Sequence, residues 1–412
     1  MKARTTNGRK TKKAAAQFWA CKKFLCAALL ALTAAALFAQ EQVVVGAARF
    51  DKYKKLLQNK RVGLVANATS IIVRPDGTKI HDLDFLIERK INVAKIFAPE
   101  HGFRGTGEAG EIIANDVDPK TGVPIISLYG KFTKPSPEAL QDIDVMVYDI
   151  QDVGARFFTY ISTMHRVMEA CAQSKIPLVI FDRPNPNIDC VAGPIRDEKW
   201  KSFVSLDPIP VAYGMTAGEL ARMINGCRWL ENGARCKLTV VPVKNYTRKT
   251  RYVLPVPPSP NLPSERAVRF YPFLCLFEAT VVSEGRGTLQ PFTALGYPDP
   301  AFGEYVFTPR AIKGMATNPK FEGKKCYGID LTAAPLYADD GIFTLKHFID
   351  FAKKLGGAEK MVDQKAGLAR LWGNDKLIEQ IDSGMTEEEI RATWLPDIQK
   401  FLRAQKPYLL YK

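Results

Sequence analysis

Polar and ionisable side chains follow four short apolar segments of the sequence, at the point where each segment ends. The apolar segments alternate with amphipathic ones, as the strands of a parallel sheet alternate with helices. Ligands of open parallel sheets bind beyond the carboxyl ends of the strands, so we expect these side chains to face one binding site. The residues are Asn67, Glu100, His101, Asp149, Gln151, Arg156, Asp182 and Asn185.

Glu100 is the best candidate for a catalytic group among these residues. It lies in the segment Pro-Glu-His-Gly, where a strand end bounded by proline and glycine places its carboxylate on a stiff loop. A carboxylate in such a place can exchange a proton with a substrate. The other residues have structural alternatives, which are helix capping for Asp149 and Asp182 and ion pairing for Arg156.

A second set of charged side chains lies in the segment FEATVVSEGRGT, residues 277–288. Glu278, Glu284 and Arg286 lie here together with two glycines, which is typical of a loop that approaches a ligand closely. The alternative is a turn with a surface ion pair.

The hydrophobic pattern predicts the elements that must position these residues. Strands are predicted over residues 61–66, 93–98, 124–128, 144–150, 177–181 and 237–243, and helices over 81–90, 137–142, 159–174 and 216–230. Thr216 and Glu219 have the spacing of a capping box. Near-continuous apolar strands separated by helices indicate an α/β fold, with a largely parallel sheet covered on both faces.

A change in composition divides the chain near residue 262. Five prolines fall between residues 255 and 263, which stops regular structure and indicates a linker or a fixed crossover. Beyond it the alternation weakens, with helices predicted over 343–355, 376–383 and 387–404. We therefore predict an α/β domain over residues 40–262, a smaller α+β domain over 263–412, and a binding cleft between them.

The first 39 residues have the pattern of a secretory signal. They hold eight basic residues and no acidic one, an apolar run over residues 24–38, and a small residue before a polar start. The run is short for a membrane-spanning helix, although an uncleaved N-terminal anchor is the alternative. We predict cleavage near residue 39, export to the periplasm or the medium, and no stable membrane insertion afterwards.

The same 39 residues carry much of the net charge of +15, which comes from 58 basic and 43 acidic residues. The remaining 373 residues hold 50 basic and 43 acidic side chains. This mild excess does not favour a nucleic-acid-binding protein. The sequence does not indicate an oligomeric state.

The sequence shows no motif for a nucleotide cofactor or a metal ion. No GxGxxG connects a predicted strand to its helix, and neither a GxSxG elbow nor a phosphate-binding loop is present. The six cysteines after residue 39 lack CxxC spacing, which argues against zinc. Cys227 and Cys236 flank a short turn-like stretch and could form a disulfide, but free thiols are the expected state.

Seven segments, in order along the chain, resemble the exo-β-N-acetylmuramidase family of bacterial proteins, long classed as a domain of unknown function. They are RVGLVANATS, FAPEHGFRG, DVMVYDIQDVGARFFTYISTM, FDRPNPN, AYGMTAGELA, SPNLP and FEATVVSEGRGT, which together run from about residue 60 to about residue 300. The sequence departs from relatives at residues 66–68, which read Ala-Asn-Ala where relatives more often read Thr-Asn-Gln. The resemblance implies a Rossmann-like first domain, a smaller C-terminal lid domain and an active-site cleft between them.

The resemblance also implies an exo-acting glycosidase that releases N-acetylmuramic acid from the non-reducing end of peptidoglycan fragments, with no cofactor. The acidic residue of the family in the APEHG segment corresponds to Glu100, and the one in FEATVV to Glu278. The candidates for substrate binding are Asn67, His101, Asp149, Gln151, Arg156, Tyr160, Asp182, Asn185, Glu284 and Arg286.

This activity agrees with the chemistry of the candidate residues. Glycoside hydrolysis ordinarily uses one carboxyl group to protonate the leaving oxygen and a second group to activate water or act as nucleophile. Glu100 with Glu278 or Glu284 could supply the pair, and the guanidinium of Arg156 or Arg286 could bind the carboxylate of muramic acid. A retaining or an inverting course, and attack by the acetamido group of the substrate, all stay open.

Two other classes of protein are alternatives. A periplasmic carbohydrate-binding protein would share a two-domain cleft without turnover. A carbohydrate esterase would need a nucleophile and a base, for which Ser283 and His101 are the only pair to consider.

Overall fold

The described residues form a central sheet of seven strands, followed by a smaller C-terminal domain. The computed structural model describes residues 42–100, 102–103, 116–130, 132–337 and 343–412. The predicted signal segment, residues 1–39, and His101 lie outside these residues. In chain order the strands are β1 (Val62–Ala66), β2 (Ile71–Val73), β3 (Lys79–His81), β4 (Val93–Ala98), β5 (Asp116–Val117), β6 (Pro124–Ser127), β7 (Val145–Asp149), β8 (Leu178–Phe181), β9 (Val191–Ala192), β10 (Ala212–Tyr213), β11 (Leu238–Val241), β12 (Ala294–Tyr297), β13 (Tyr305–Phe307) and β14 (Cys326–Asp330).

The central sheet has the strand order β11-β8-β7-β1-β4-β6-β5. All neighbouring strands are parallel except β5, which is antiparallel to β6. The chain adds strands first on one side of β1 and then on the other, so the order reverses at β1. Side chains beyond the carboxyl ends of β1, β4 and β7 therefore lie at a topological switch point, where open α/β sheets bind their ligands.

The composition of the central strands explains why they are covered on both faces. Every residue of β1, β7 and β8 is buried, as expected for apolar strands between two layers of helices. One hydrophobic cluster, including Leu64 and Val147, lies on one face of the sheet, and a larger one, including Val65 and Tyr148, lies on the other. The sheet is thus a rigid platform for the loops at its edge.

Helices cover the sheet and form most of the C-terminal domain. They are α1 (Phe50–Leu57), α2 (Asp82–Glu88), α3 (Pro137–Leu140), α4 (Tyr160–Gln173), α5 (Ala217–Gly226), α6 (Glu265–Leu274), α7 (Lys346–Lys354), α8 (Ala358–Met361), α9 (Lys365–Trp372), α10 (Leu377–Asp382) and α11 (Glu387–Gln405). The predicted capping box is present at α5, where Thr216 accepts from the backbone N–H of Glu219 and the Glu219 side chain accepts from that of Thr216. None of the helices in the described part of the chain is long and apolar enough to cross a membrane.

The C-terminal domain contains a three-stranded antiparallel sheet in the order β12-β14-β13. Its helices pack around an aromatic group in which the rings of Trp372 and Trp394 are 5.2 Å apart in an edge-to-face arrangement. Residues Val44–Lys412 form one compact unit. The C-terminal domain and the central sheet therefore belong to the same compact unit.

The last residues of the chain return to the first domain. The hydroxyl of Tyr411 donates to Asp182 at 2.6 Å, at the end of β8, and accepts from the backbone N–H of Val243 at 2.8 Å. The buried carboxylate of Glu219 accepts from the backbone N–H groups of Leu410 and Tyr411. Residues 408–412, here named the C-terminal strap, therefore fix one edge of the central sheet.

Candidate active site

A cavity of about 240 Å³ lies between the edge of the central sheet and the C-terminal domain. The first domain contributes Glu100, which follows β4, and Tyr129, which follows β6. The C-terminal domain contributes Glu278, from the 3-10 turn Cys275–Ala279, and Arg286. Two carboxylates that are far apart in the sequence therefore line one cavity.

Two hydroxyl groups hold the half-buried carboxylate of Glu100. Thr159, which directly precedes α4, donates its hydroxyl to Glu100 Oε2 at 3.0 Å. The hydroxyl of Tyr129 donates to the same carboxylate, and burial together with the charge of Glu100 raises the pKa of Tyr129 to about 12. Tyr129 is therefore protonated at neutral pH, and both groups fix the direction in which Glu100 faces the cavity.

Glu278 is held by Arg286, with which it forms a close ion pair. Burial alone would lower the pKa of the Arg286 guanidinium, but the charges of Glu278 and Glu284 outweigh burial and raise it. The thiol of Cys275 also interacts with Glu278. The Glu278 side chain retains 30% of its exposure, so it is positioned by these contacts and still faces the cavity.

Glu284 has a different environment from Glu278. Its side chain is only 4% exposed and does not line the cavity, and it accepts from Lys320 Nζ at 3.0 Å. Lys320 Nζ also donates to the backbone carbonyls of Phe277 and Val282. Glu284 and Lys320 thus anchor the loop that carries Arg286, and Glu278 is the one of these two carboxylates that lines the cavity.

Aromatic rings form much of the cavity wall. The Tyr271 ring contacts the rings of Phe157, Phe158 and Phe292 edge to face, at centroid distances of 5.0 to 5.9 Å. Phe292 has φ of 56°, in the left-handed region that costs a residue with a side chain about 1–2 kcal/mol. The Phe292 ring lies beside Arg286, whose Cζ lies 5.3 Å from the ring centroid.

A second, smaller cavity of about 170 Å³ adjoins the first. Tyr160 and Ser259 line both cavities. The other walls of the second cavity come from the loop after β1, from Gly102 and from the proline-rich segment: Asn67, Ala68, Thr69, Pro257, Pro258 and Pro260. Of the residues expected from the sequence, Asn67, Glu100, Tyr160, Glu278 and Arg286 thus line this pair of cavities.

The remaining expected residues within the described part of the chain lie behind the cavities. Asp149 is buried and forms a bidentate ion pair with Arg183, at 2.5 and 2.7 Å. Burial raises the pKa of Asp149 to about 7, against the opposing effect of Arg183. The Gln151 amide donates to the carbonyls of Asp152 and Pro184. The helix-capping role considered for Asp149 is thus not found in the described structure, because its carboxylate binds Arg183.

Asp182 and Asn185 are also structural in their contacts. Asp182 accepts hydrogen bonds from Thr216, Gly218 and Tyr411, and burial raises its pKa to about 6 despite these donors. Asn185 donates to the carbonyl of Met215. Neither residue lines either cavity.

The side chain of Arg156 lines neither cavity. Its fully buried guanidinium donates to the carbonyl oxygens of Pro194, Ile209 and Leu371, the last of which belongs to α9. This explains why the side chain is buried without a carboxylate partner. Of the two arginines considered for the carboxylate of muramic acid, Arg286 lines the cavity and Arg156 joins the two domains.

The pair considered for an esterase does not form a nucleophile and its base in the described structure. Ser283 is 1% exposed, and its hydroxyl accepts from the backbone N–H of Gly285. His101 lies outside the described residues. The thiols of Cys227 and Cys236 are free, with Cys227 exposed.

Sequence reasoning missed most of the lining of the larger cavity, including the polar residues Tyr129, Thr159 and Asn261. Tyr129 and Thr159 support Glu100, but neither has a distinctive sequence signal beyond following or preceding a predicted element. Asn261 lies in the SPNLP segment and is 3% exposed. Its carboxamide nitrogen donates to Met315, whereas its oxygen has no hydrogen-bond partner among the described residues. It is thus an acceptor in the wall of the cavity.

A larger cavity lies elsewhere in the described part of the molecule. A cavity of about 580 Å³ lies against α9 and α10, and none of the residues expected from the sequence lines it. In the described ranges, no group of three or more His, Cys, Asp or Glu side chains could hold a metal ion. The cavity that holds both Glu100 and Glu278 is therefore the candidate active site.

Comparisons with known proteins agree with this geometry. Residues 62–266 match the family model of the N-terminal domain of the exo-β-N-acetylmuramidase NamZ, and residues 269–411 match that of its C-terminal domain. The chain is 36% identical over 375 residues to the peptidoglycan β-N-acetylmuramidase NamZ of Bacillus subtilis strain 168, a match that covers 87% of this chain and 89% of the relative.

Two crystal structures of DUF1343 family proteins from Bacteroides fragilis NCTC 9343 have the same fold. They superpose with TM-scores of 0.81 and 0.78, at 43% and 29% sequence identity. Each match covers 90% of this chain and 99% of the solved chain. With both of its domains matched in order and the two carboxylates in one cavity, the chain belongs to the exo-β-N-acetylmuramidase family.

Proposed function

We propose that this protein is an exo-acting glycosidase that removes N-acetylmuramic acid from the non-reducing end of peptidoglycan fragments, with Glu100 and Glu278 as its catalytic carboxylates. One observation supports the assignment of the carboxylates above others. Glu100 from the first domain and Glu278 from the C-terminal domain line the same cavity, and each is held by its own partners. Glycoside hydrolysis ordinarily needs two such groups.

The different neighbours of the two carboxylates suggest different roles. Hydroxyl groups of Thr159 and Tyr129 orient Glu100, and we assign to Glu100 the transfer of a proton to the leaving oxygen. Arg286 forms an ion pair with Glu278. We assign to Glu278 the support of the sugar cation or the activation of water. The bond from the anomeric carbon to the leaving oxygen breaks, and a bond from that carbon to the oxygen of water forms.

Arg286 is also the cationic side chain in the cavity wall that could bind the carboxylate of the acidic substrate. N-acetylmuramic acid carries a carboxylate on its lactyl ether, and a guanidinium binds such a group through paired N–H donors. Arg286 retains 24% of its side-chain exposure and shares its charge between Glu278 and Glu284. The lactyl carboxylate would therefore approach the side of the guanidinium that faces the cavity.

We further propose that the protein acts outside the cytoplasm, as the pattern of residues 1–39 indicates. The mature chain would begin near residue 40. Mass spectrometry of the protein recovered from the periplasm or the medium tests this: a mass that includes residues 1–39 would contradict it.

The activity is tested with a 4-nitrophenyl glycoside of N-acetylmuramic acid and with cell-wall fragments of defined length. We expect release of nitrophenol from the first and of single N-acetylmuramic acid units from the non-reducing end of the second. The Glu278→Gln variant should lose both activities. Cleavage at internal bonds of the fragments, or no turnover of either substrate by the wild-type protein, would contradict the proposal.

A further inference from the structure

Two cysteines that are far apart in the sequence lie at the same end of two neighbouring strands. Cys171 is in the last turn of α4, which leads into β8, and Cys236 lies two residues before β11. The two strands are parallel neighbours that begin with the pair Leu178 and Leu238, and the backbone N–H of Leu178 donates to the carbonyl of Lys237 at 2.9 Å. The segments that enter the two strands therefore lie side by side.

The thiols of Cys171 and Cys236 face each other inside one hydrophobic cluster. The two residues are 1% and 4% exposed, and both belong to the larger of the clusters that cover the central sheet. A hydrogen bond between the two thiols, together with burial, raises the pKa of Cys171 well above its usual value. A disulfide can form only between cysteines that the backbone brings this close.

Backbone contacts hold the two cysteines in these positions. The backbone N–H of Cys236 donates to Asn225 Oδ1 of α5 at 2.8 Å, and Asn225 Nδ2 donates to the carbonyl of Cys236 at 3.0 Å. The carbonyl of Cys171 accepts from the backbone N–H of Ile176 at 2.9 Å. None of these bonds involves a thiol, so the fold itself places the two cysteines beside each other.

Cys227, the partner considered for Cys236 from the sequence, has a different neighbour. It is exposed, and its thiol donates to the hydroxyl of Tyr408 in the C-terminal strap at 3.6 Å. The thiol of Cys236 is directed instead towards α4 and Cys171. The structure therefore favours Cys171 over Cys227 as the partner of Cys236.

We propose that Cys171 and Cys236 form a disulfide when the protein folds in an oxidising compartment, and that this bond stabilises the fold by joining α4 to the segment that enters β11. The oxidant is itself a disulfide, either of a small thiol or of an oxidoreductase. One cysteine thiolate attacks the oxidant and forms a mixed disulfide, and the second cysteine displaces the remaining sulfur. Two electrons pass to the oxidant, which leaves as two thiols that carry both protons.

The surroundings of the pair indicate when this bond would form. Residues 173–175 and both neighbours of Cys236 are exposed, whereas the two thiols lie beneath the surface. An oxidant therefore reaches the thiols most easily before the chain has finished folding, and the completed fold then shields the bond from reductants. The proposal uses the expected export only for the place of oxidation, and it is independent of the glycosidase activity.

The first test identifies the bond directly. Purified protein is unfolded in urea and refolded in a mixture of reduced and oxidised glutathione, its remaining thiols are blocked with N-ethylmaleimide, and it is digested with trypsin without reductant. Trypsin places Cys171 in the peptide of residues 167–175, Cys227 in 223–228 and Cys236 in 236–237. We expect peptide 167–175 linked to 236–237 in most molecules, with Cys227 blocked. A link between 223–228 and 236–237, or blocked thiols at both Cys171 and Cys236, would overturn the proposal.

The second test measures the stabilisation. The bond would close a loop of about 65 residues in the unfolded chain, so the urea midpoint of the oxidised protein should exceed that of the reduced protein by about 1 M. Cys171→Ala and Cys236→Ala should each remove this difference between oxidised and reduced protein. Cys227→Ala is the matched control and should retain it. Equal midpoints for oxidised and reduced wild-type protein would contradict the proposal.

Both tests use purified protein in a defined redox mixture, so they separate this proposal from the expected export. Recovered protein that keeps residues 1–39 would contradict the export alone. A wild-type protein without turnover would contradict the proposed glycosidase alone. The disulfide stands or falls with the linked peptides and the urea midpoints.

Discussion

At the scale of single residues, Glu100 and its two hydroxyl partners define the first prediction. General acid–base catalysis contributes on the order of 10²–10⁴-fold, so Glu100→Gln should lose about that factor in turnover of the natural substrate. A substrate with a good leaving group needs little protonation, and its turnover should fall much less. Circular dichroism checks folding, and Glu379→Gln, which changes an exposed carboxylate on α10, is the matched control. Unchanged turnover of natural substrate by Glu100→Gln would refute the assignment.

The second residue-scale prediction separates Glu278 from Glu284. Glu278→Gln should abolish most turnover with little change in the free energy of unfolding, because the residue is partly exposed. Glu284→Gln should lower the free energy of unfolding by about 3 kcal/mol, because Lys320 and Arg286 would lose a buried partner. Urea unfolding and turnover are measured on both variants. A stable and fully active Glu278→Gln protein would exclude Glu278 from the reaction.

At the scale of elements, the charge of His165, which is buried on α4, should affect the free energy of unfolding of the protein. His165 lies between Asp207 and Glu169, at 2.8 and 3.3 Å, and Lys134 and Arg166 lie beside Glu169. Burial alone would lower the pKa of His165, but hydrogen bonds and charges of the two carboxylates raise it to about 9. The folded state therefore holds a proton more tightly than the unfolded chain, in which histidine titrates near pH 6.5.

This difference gives the third prediction. The stabilisation by His165 is fully present below about pH 6.5 and is lost as the pH rises through about 9. Urea unfolding at a series of pH values should show the free energy of unfolding falling over this range. His165→Gln should be less stable at pH 6 and should lack most of this slope. An identical slope in the variant would show that other groups cause it.

The strands and the site differ in how far the sequence could predict them. The six predicted strands lie within two residues of observed ones, because apolar runs between polar turns are determined locally. Glu100 and Glu278 were expected from their segments. The bond of Arg156 to the carbonyl of Leu371 and the bond of Asp182 to the Tyr411 hydroxyl were not expected. The partners in both bonds lie in distant segments of the chain, which local sequence patterns do not identify. The left-handed backbone of Phe292 has no sequence signal, since phenylalanine does not favour it.

At the scale of the whole molecule, the two domains are joined by buried polar contacts as well as by the site. Arg156 donates to Leu371 of α9, and the C-terminal strap bonds to Asp182 and Glu219 in the first domain. The proposed catalytic carboxylates come from two domains, and such a pair needs the domains in a fixed relation, because a displacement of about 1 Å can cost 10²-fold in rate.

The fourth prediction concerns the strap. Tyr411→Phe removes the hydroxyl that bonds to Asp182 and to the backbone of Val243, and leaves both groups buried without that partner. The free energy of unfolding should fall by about 1–3 kcal/mol. Tyr408→Phe, which alters a hydroxyl beside the exposed Cys227, should have little effect. Urea unfolding of both variants tests whether the strap stabilises the first domain. Equal losses in the free energy of unfolding for Tyr411→Phe and Tyr408→Phe would argue against it.

The strap also has a consequence for the order in which the protein is made. A polypeptide leaves the ribosome from its first residue, so β8 and α5 emerge long before residues 408–412. Until those residues arrive, Asp182 and Glu219 are without partners that the finished molecule supplies, and the first domain is incomplete although all its own strands exist. A chain that stopped before residue 408 would lack these bonds, so the bonds that fix this edge of the central sheet form last during synthesis.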